Sequence, residues 1–188
     1  MPLWFRIVRV WLPVAVVATL LSGLVYVAVQ QNYRMGFDAP QVQLAQDAAA
    51  GLDAGASSEN VVPSGTVDIA NSLAPFVILY RADNTVAAAS GKLNRTAPVP
   101  PAGVLETARS KGFNRVTWQP APGVRIASVS YTTKDGRVVL AGRNMREMEM
   151  RVDALTQMTA IAWIVIVVGS LLTSWLVEFV GRRYDTAG

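Results

Sequence analysis

Residues 115–143 read RVTWQPAPGVRIASVSYTTKDGRVVLAGR, and this stretch decides the fold. Over 115–119 apolar and polar side chains alternate, with Val116 and Trp118 on one face, which is the two-residue period of a strand. The PAPG stretch at 120–123 makes a tight turn, a second extended run covers 124–132, and Lys134-Asp135-Gly136 turns the chain back into a third over 137–143. Asp-Gly between two β-rich runs is a strong hairpin signal, because the turns that match strand twist require positive φ. The expectation is a three-stranded antiparallel meander.

Upstream, PFVILYR at 75–81 is a short continuous apolar run rich in β-branched and aromatic residues, as expected of a central strand buried on both faces. Asp83-Asn84 supplies a turn into a weaker partner strand over 85–89. Before them, Asp38 is placed to cap a helix that starts near Ala39, with Pro40 in its first turn, Val42, Ala45, Ala49 and Leu52 as its apolar stripe and Gly55 as its stop. The stretch 56–66 reads as loop and 67–73 as a further helical turn, while 90–101 is an irregular, proline-dense connection. Pro101 then opens a second helix, with Val104, Leu105 and Ala108 as its stripe, Lys111 in its last turn and Gly112 at its end.

Downstream, Asn144 caps the last helix and Glu147 completes a capping-box-like pair, with Met145, Met148, Val152 and Leu155 along one stripe that core packing explains. Neither Gly nor Pro occurs between Arg143 and Gly169, so one rod of about 50 Å is expected from Met145 to Val180 at 1.5 Å per residue. Such a rod could carry a displacement at the last strand along its length.

Two uncharged runs flank this region. Residues 10–29 read VWLPVAVVATLLSGLVYVAV and residues 158–177 read MTAIAWIVIVVGSLLTSWLV. About 20 apolar residues match the roughly 30 Å hydrocarbon core of a bilayer. Pro13 lies near the start of the first span; Trp163 and Trp175 lie near the two ends of the second, where aromatic belts form. The first run also carries a passable signal-peptide cleavage site at 25–28, but it exceeds the usual 7–15-residue h-region and so reads as an uncleaved anchor. Arg6 and Arg9 before the first span and Arg182 and Arg183 after the second put both ends in the cytoplasm by the positive-inside rule. The organisation expected is a cytoplasmic tail at 1–9, a transmembrane helix at 10–30, an extracytoplasmic domain at 31–156, a second transmembrane helix at 157–180 and a tail at 181–188. The fold class is α+β, an antiparallel sheet with long flanking helices held between two transmembrane helices.

Composition excludes much chemistry. The 188 residues are 52% hydrophobic and 16% charged, with mean hydropathy +0.31 and net charge +4, and they include neither cysteine nor histidine. Disulfides, thiolate nucleophiles, Cys/His metal centres, a Ser-His-Asp triad and a phosphohistidine are all impossible. Paired carboxylates, a Walker loop and a GxGxxG are also missing, so no enzyme and no cofactor is expected. Residues 31–156 carry thirteen Lys/Arg and eleven Asp/Glu, scattered and not interleaved with aromatics, which gives no support to nucleic-acid binding.

The order of elements resembles the PAS-like Cache or PDC sensor regions of bacterial histidine kinases and chemoreceptors. PFVILYRADNTVAAAS at 75–90, the meander at 115–143 and the capped helix from Asn144 carry the likeness. The resemblance implies a PAS-like extracytoplasmic domain, a location in the bacterial inner membrane and a role in signal transduction. It also implies a small ligand held between one sheet face and its covering helices. Members of that class continue into a cytoplasmic effector, for which residues 181–188 are too short, so the expected partner is a separate signalling protein such as a kinase. The alternative is a structural or assembly subunit of a larger membrane complex.

The polar and aromatic strand residues Tyr80, Trp118, Arg125, Tyr131 and Arg143 are the candidate ligand contacts, since a carboxylate ligand wants a bidentate Arg and an aromatic face. Arg125 and Tyr131 share one strand face; core packing for Trp118 and edge or headgroup placement for the arginines is the competing assignment. Ala15, Thr19 and Gly23 form a small-xxx-small series, with Ser170 and Ser174 as a counterpart, which suits close helix approach, within the chain or in a homodimer.

Overall fold

The computed structural model describes residues 2–37 and 39–185. In chain order these form α1 (Leu3–Phe37), α2 (Ala39–Asp53), α3 (Ser58–Val61), β1 (Val67–Asp68), β2 (Phe76–Tyr80), β3 (Val86–Ala89), β4 (Gly91–Lys92), α4 (Ala102–Lys111), β5 (Phe113–Ala121), β6 (Val124–Thr132), β7 (Val138–Asn144) and α5 (Arg146–Asp185). Two compact units result: residues 34–150, and the helical segments up to Tyr33 and from Arg151. The fold is α+β, with a five-stranded antiparallel sheet and long apolar helices at both ends of the chain. The Asp38 cap lies outside the described residues.

In the first unit the meander forms as expected, and its last strand closes onto β2, giving the order β3-β2-β7-β6-β5. β2 therefore sits between β3 and β7, and all five of its residues are buried. One face carries Val77, Leu79, Val129, Val139 and Ala141, covered by Ala45, Ala48, Ala49 and Leu52 of α2. The other carries Phe76, Ile78, Tyr80, Ile126, Val138 and Leu140, covered by Leu105 and Ala108 of α4. Each fully buried large aliphatic or aromatic side chain contributes about 1.5–3 kcal/mol, so β2 is a principal source of stability.

Five local expectations need correction. Residues 67–73 are not helical: Val67 N–H donates to Ser90 O, pairing β1 parallel with β4, and Asp68 folds its carboxylate onto Ala70 N–H and Asn71 Nδ2. The pairing with Ser90 and Lys92 and this local bonding together hold the chain out of a helix. The connection 90–101 accordingly contains β4, and the loop 56–66 contains α3. In α2 the buried stripe begins at Gln41, not Val42, because four-residue spacing back from Ala45 points that side chain at the sheet. Pro13 lies well inside α1, because that helix starts at Leu3.

The second unit is an antiparallel helix pair. Arg6 meets Glu178 at 3.1 Å, Trp11 Nε1 donates to Val167 O at 3.0 Å, Trp163 Nε1 donates to Thr19 Oγ1 at 2.9 Å, and Thr156 Oγ1 donates to Tyr26 OH at 3.3 Å. As residue numbers rise on one helix they fall on the other. Both helices are long and apolar enough to cross a bilayer, and most of their large apolar side chains are uncovered.

Gly142 has a packing duty: a Cβ there would lie 2.6 Å from Phe76 Cζ and 3.0 Å from Ile126 Cγ2, so the ring occupies the space a side chain would take. Gly142→Ala is expected to destabilise the fold by about 1–3 kcal/mol through overpacking. Gly103→Ala, with open space around it, should be neutral or slightly stabilising. Chemical unfolding of the full chain in detergent measures both, and Phe76→Leu added to Gly142→Ala should restore part of the loss.

Candidate functional site

The five candidate ligand contacts do not converge. Tyr80 and Trp118 lie in the core on the α4 face, where Tyr80 OH donates to Pro98 O at 2.7 Å and Trp118 Nε1 donates to Ser128 Oγ at 3.2 Å. Burial pushes the Tyr80 phenol well above its usual range, so it remains a neutral donor. Tyr131 is on the opposite face, against Phe113 at 4.9 Å between ring centroids, and its OH accepts from Gln46 Nε2 at 2.8 Å. The sheet separates it from the other two aromatics.

The two arginines meet different partners at one end of the sheet, where β6, β7 and α5 come together. Arg125 on β6 pairs with Glu149 at 2.7 Å, and Arg143 on β7 pairs with Glu147 at 2.6 Å. Both acids stand in the first turns of α5, where carboxylates also oppose the positive end of the helix dipole. Asn144 links these parts: its Oδ1 caps Arg146 N–H at 2.8 Å, while its Nδ2 donates to Ile69 O at 2.8 Å. Arg143 Nε donates to Leu73 O at 2.7 Å, and Arg146 Nη2 donates to Asn71 O at 2.9 Å. Backbone carbonyls of the loop 69–73 are thus tied to the β7–α5 junction by the side chains of Arg143, Asn144 and Arg146. Asn144 caps as expected, but Glu147 serves Arg143 in the role the capping box had assigned elsewhere.

Glu149 and the loop carbonyls were not singled out from sequence, and Arg146 was read only as a headgroup contact. The i,i+4 spacing of Arg143 and Glu147 was a readable signal; the pairing of Arg125 with Glu149 across twenty-four positions was not. Gln41, fully buried on α2, was also missed, and neither of its amide atoms has a hydrogen-bond partner among the described residues.

In the helix pair, Ala15 is buried, and Ser170 and Ser174 are half-buried. Thr19 Oγ1 donates to Ala15 O at 2.7 Å and accepts from Trp163. Gly23 lines an open groove of about 460 Å³ with Ser22, Tyr26, Thr159 and Ala160. Of this series Thr19 bonds across to α5, whereas a Cβ at Gly23 would meet nothing within 4 Å and Ser170 Oγ donates to Val167 O of its own helix. Among the described residues no group of three or more acidic, cysteine or histidine side chains gathers in a way that could hold a metal.

No protein-family model matches this chain, and no curated protein matches it.

Two outcomes follow from these contacts. Asp68, at the base of the tied loop, has its carboxyl held below the ordinary 3.8, chiefly by Asn71 Nδ2 and then by Ala70 N–H. A depressed folded pKa means that the unfolded chain binds the proton first; the stabilisation is complete above that ordinary value and disappears as pH falls through the folded one. Asp68→Asn should therefore flatten the fall in Tm between about pH 4 and pH 2. In the helix pair, Thr19→Val and Trp163→Phe in a double-mutant cycle should give a coupling of about 0.6 kcal/mol, with an upper bound near 1.7. Unfolding in mixed micelles reads it, and a coupling of zero would mean the bond contributes nothing.

Proposed function

We propose that this chain is a membrane-anchored sensor or regulatory module. Its PAS-like domain lies outside the cytoplasm, with both chain ends inside, and receives a small ligand or a partner surface. Helix α5 passes the change to a signalling partner in or across the bacterial inner membrane. One observation carries this reading. Strand β2, second from the β3 edge of the sheet, pairs with the central strand β7, and β7 leads through Asn144 and Met145 into an unbroken helix of 40 residues. Arg125–Glu149 and Arg143–Glu147 clip two adjacent strands to the first turns of that helix. A shift of β6 or β7 therefore has a stiff, charged connection to α5, and a packed sheet moves between discrete arrangements more readily than it deforms smoothly. The order of two strands, a helix, three antiparallel strands and a helix supports the PAS-like assignment, and Arg6, Arg9 and Arg182 support the orientation.

A second reading, a non-enzymatic structural or assembly subunit of a membrane complex, is favoured by a different observation. Each of the five candidate ligand contacts already has a partner within the chain. A domain that meets another protein by its surface needs no vacant contacts.

Thermal unfolding of the full chain in nanodiscs against a panel of amino acids and small carboxylates separates the two. For the sensor, at least one compound at about 100 times its Kd adds about 2.7 kcal/mol of stability. The Glu147→Gln/Glu149→Gln variant, which leaves all five candidate ligand contacts in place, should keep that shift while losing the output of the signalling partner. No shift from any compound, together with a stoichiometric membrane partner that survives detergent extraction, would replace the sensor with the subunit.

A further inference from the structure

Gln41 lies in the first turn of α2 and is fully buried, yet neither its Nε2 nor its Oε1 has a hydrogen-bond partner among the described residues. A buried amide left unmet costs stability that an apolar side chain of the same shape would not. The position of this side chain gives the cost a reason.

Two contacts fix the direction of α2. Asp53, at its end, accepts from Lys134 N–H at 2.8 Å, and Gln46, in its middle, donates to Tyr131 OH. The helix lies over β6 and β7. It therefore runs from the β7–α5 end of the sheet toward the 133–136 turn. From Asp53 back to Gln41 is about 18 Å at 1.5 Å per residue. The same length of strand, at about 3.3 Å per residue, leads from Lys134 back to the neighbourhood of Ala127. Ala127 is the cross-strand partner of Arg143, and both share the side of the sheet that carries Val129 and Ala141. Of the side chains at 127, 141 and 143, only that of Arg143 can answer an amide.

Arg143 is engaged elsewhere. Its Nε donates to Leu73 O and its Nη2 to Glu147 Oε2, and a carboxylate outcompetes a neutral amide for a guanidinium. We infer that Glu147 and Gln41 are alternative partners of Arg143. With Arg143 on Glu147, β7 is clipped to α5 and the Gln41 amide goes unmet. With Arg143 on Gln41 Oε1, the amide is met, the clip is open and β7 is tied to α2 instead. The first arrangement keeps the ion pair and is the one described above. The unmet amide narrows the gap to the second, which is what a two-state element needs. α1 ends at Phe37 and α2 begins at Ala39, so the exchange moves the tie on β7 from α5 to the helix that follows α1 in sequence. As a device for output this rests on the sensor reading; as an exchange of partners it does not.

A mutant cycle on the full chain in nanodiscs reads the exchange alone, with Tm as the measure. Gln41→Leu by itself removes an unmet amide and is expected to raise Tm by about 2–4 °C. Glu147→Ala releases Arg143 to Gln41. In that background Gln41→Leu removes a bond and should lower Tm by about the same amount, so the sign reverses. Arg143→Leu removes the shared partner, and Gln41→Leu should then raise Tm whether residue 147 is Glu or Ala. Where Gln41→Leu does not fold, Gln41→Met, unbranched like Gln, takes its place. A fall in Tm from Gln41→Leu alone, equal shifts in the Glu147 and Glu147→Ala backgrounds, or a reversal that survives Arg143→Leu would each overturn the exchange. Those outcomes leave the sensor reading standing, because the compound panel decides it separately.

Discussion

Strand β2 has no side that faces water, and the rest of the domain follows from that constraint. Five consecutive residues, Phe76–Tyr80, point alternately to the two sides of the sheet, and every one is buried. A helix is needed on each side, and the chain supplies them from opposite ends: α2 arrives before the strand and α4 after it. The two covers differ in kind. α2 presents alanines, which let its backbone approach the sheet closely, whereas α4 presents Leu105 and Ala108 to a face filled by Phe76, Tyr80 and Trp118. The volume of Phe76 on that face is what excludes a side chain at Gly142 in the neighbouring strand.

At the end of the sheet where β7 passes into α5, packing gives way to polar connection. Asn144 is nearly inaccessible and uses both ends of its carboxamide, one on the helix and one on the loop carbonyls of Ile69 and Ala70. A buried amide satisfied in this way fixes geometry more strictly than an apolar side chain of the same size, because an unmet donor or acceptor there costs about 1–3 kcal/mol. Gln41 shows the opposite condition in the same unit: its amide is buried without a described partner. The partly exposed ion pairs beside Asn144 add little stability individually. Their interest lies in direction, since each joins a strand to the same two turns of helix.

The helix pair follows another set of rules. In an apolar medium the side-chain bonds between α1 and α5, made by Trp11, Thr19, Tyr26, Thr156 and Trp163, are the specific element of contact. Most large apolar side chains of both helices point away from the pair, as suits a hydrocarbon environment.

Period and turn chemistry made much of this legible in advance. The meander, the doubly buried strand at 75–81, the α4 helix ended by Gly112 and the unbroken last helix were all readable, because alternation, Asp-Gly and the absence of Gly or Pro are local signals. Residues 67–73 were misread because their conformation depends on Ser90 and Lys92, far along the chain. The candidate site was legible only in part: Arg143 and Glu147 lie four positions apart in sequence, but the junction also needed Arg125, Asn71 and Leu73. By itself the sequence determined two membrane-length apolar helices, an α+β domain between them and the exclusion of Cys/His chemistry, since these depend on composition and short-range period. Only the tertiary structure decided that Tyr80 and Trp118 lie on the opposite face from Tyr131 and that the arginines join strands to α5. Those outcomes depend on which strands become neighbours and on which end of the sheet the helix leaves from, and contacts between distant segments are set by packing of the whole domain.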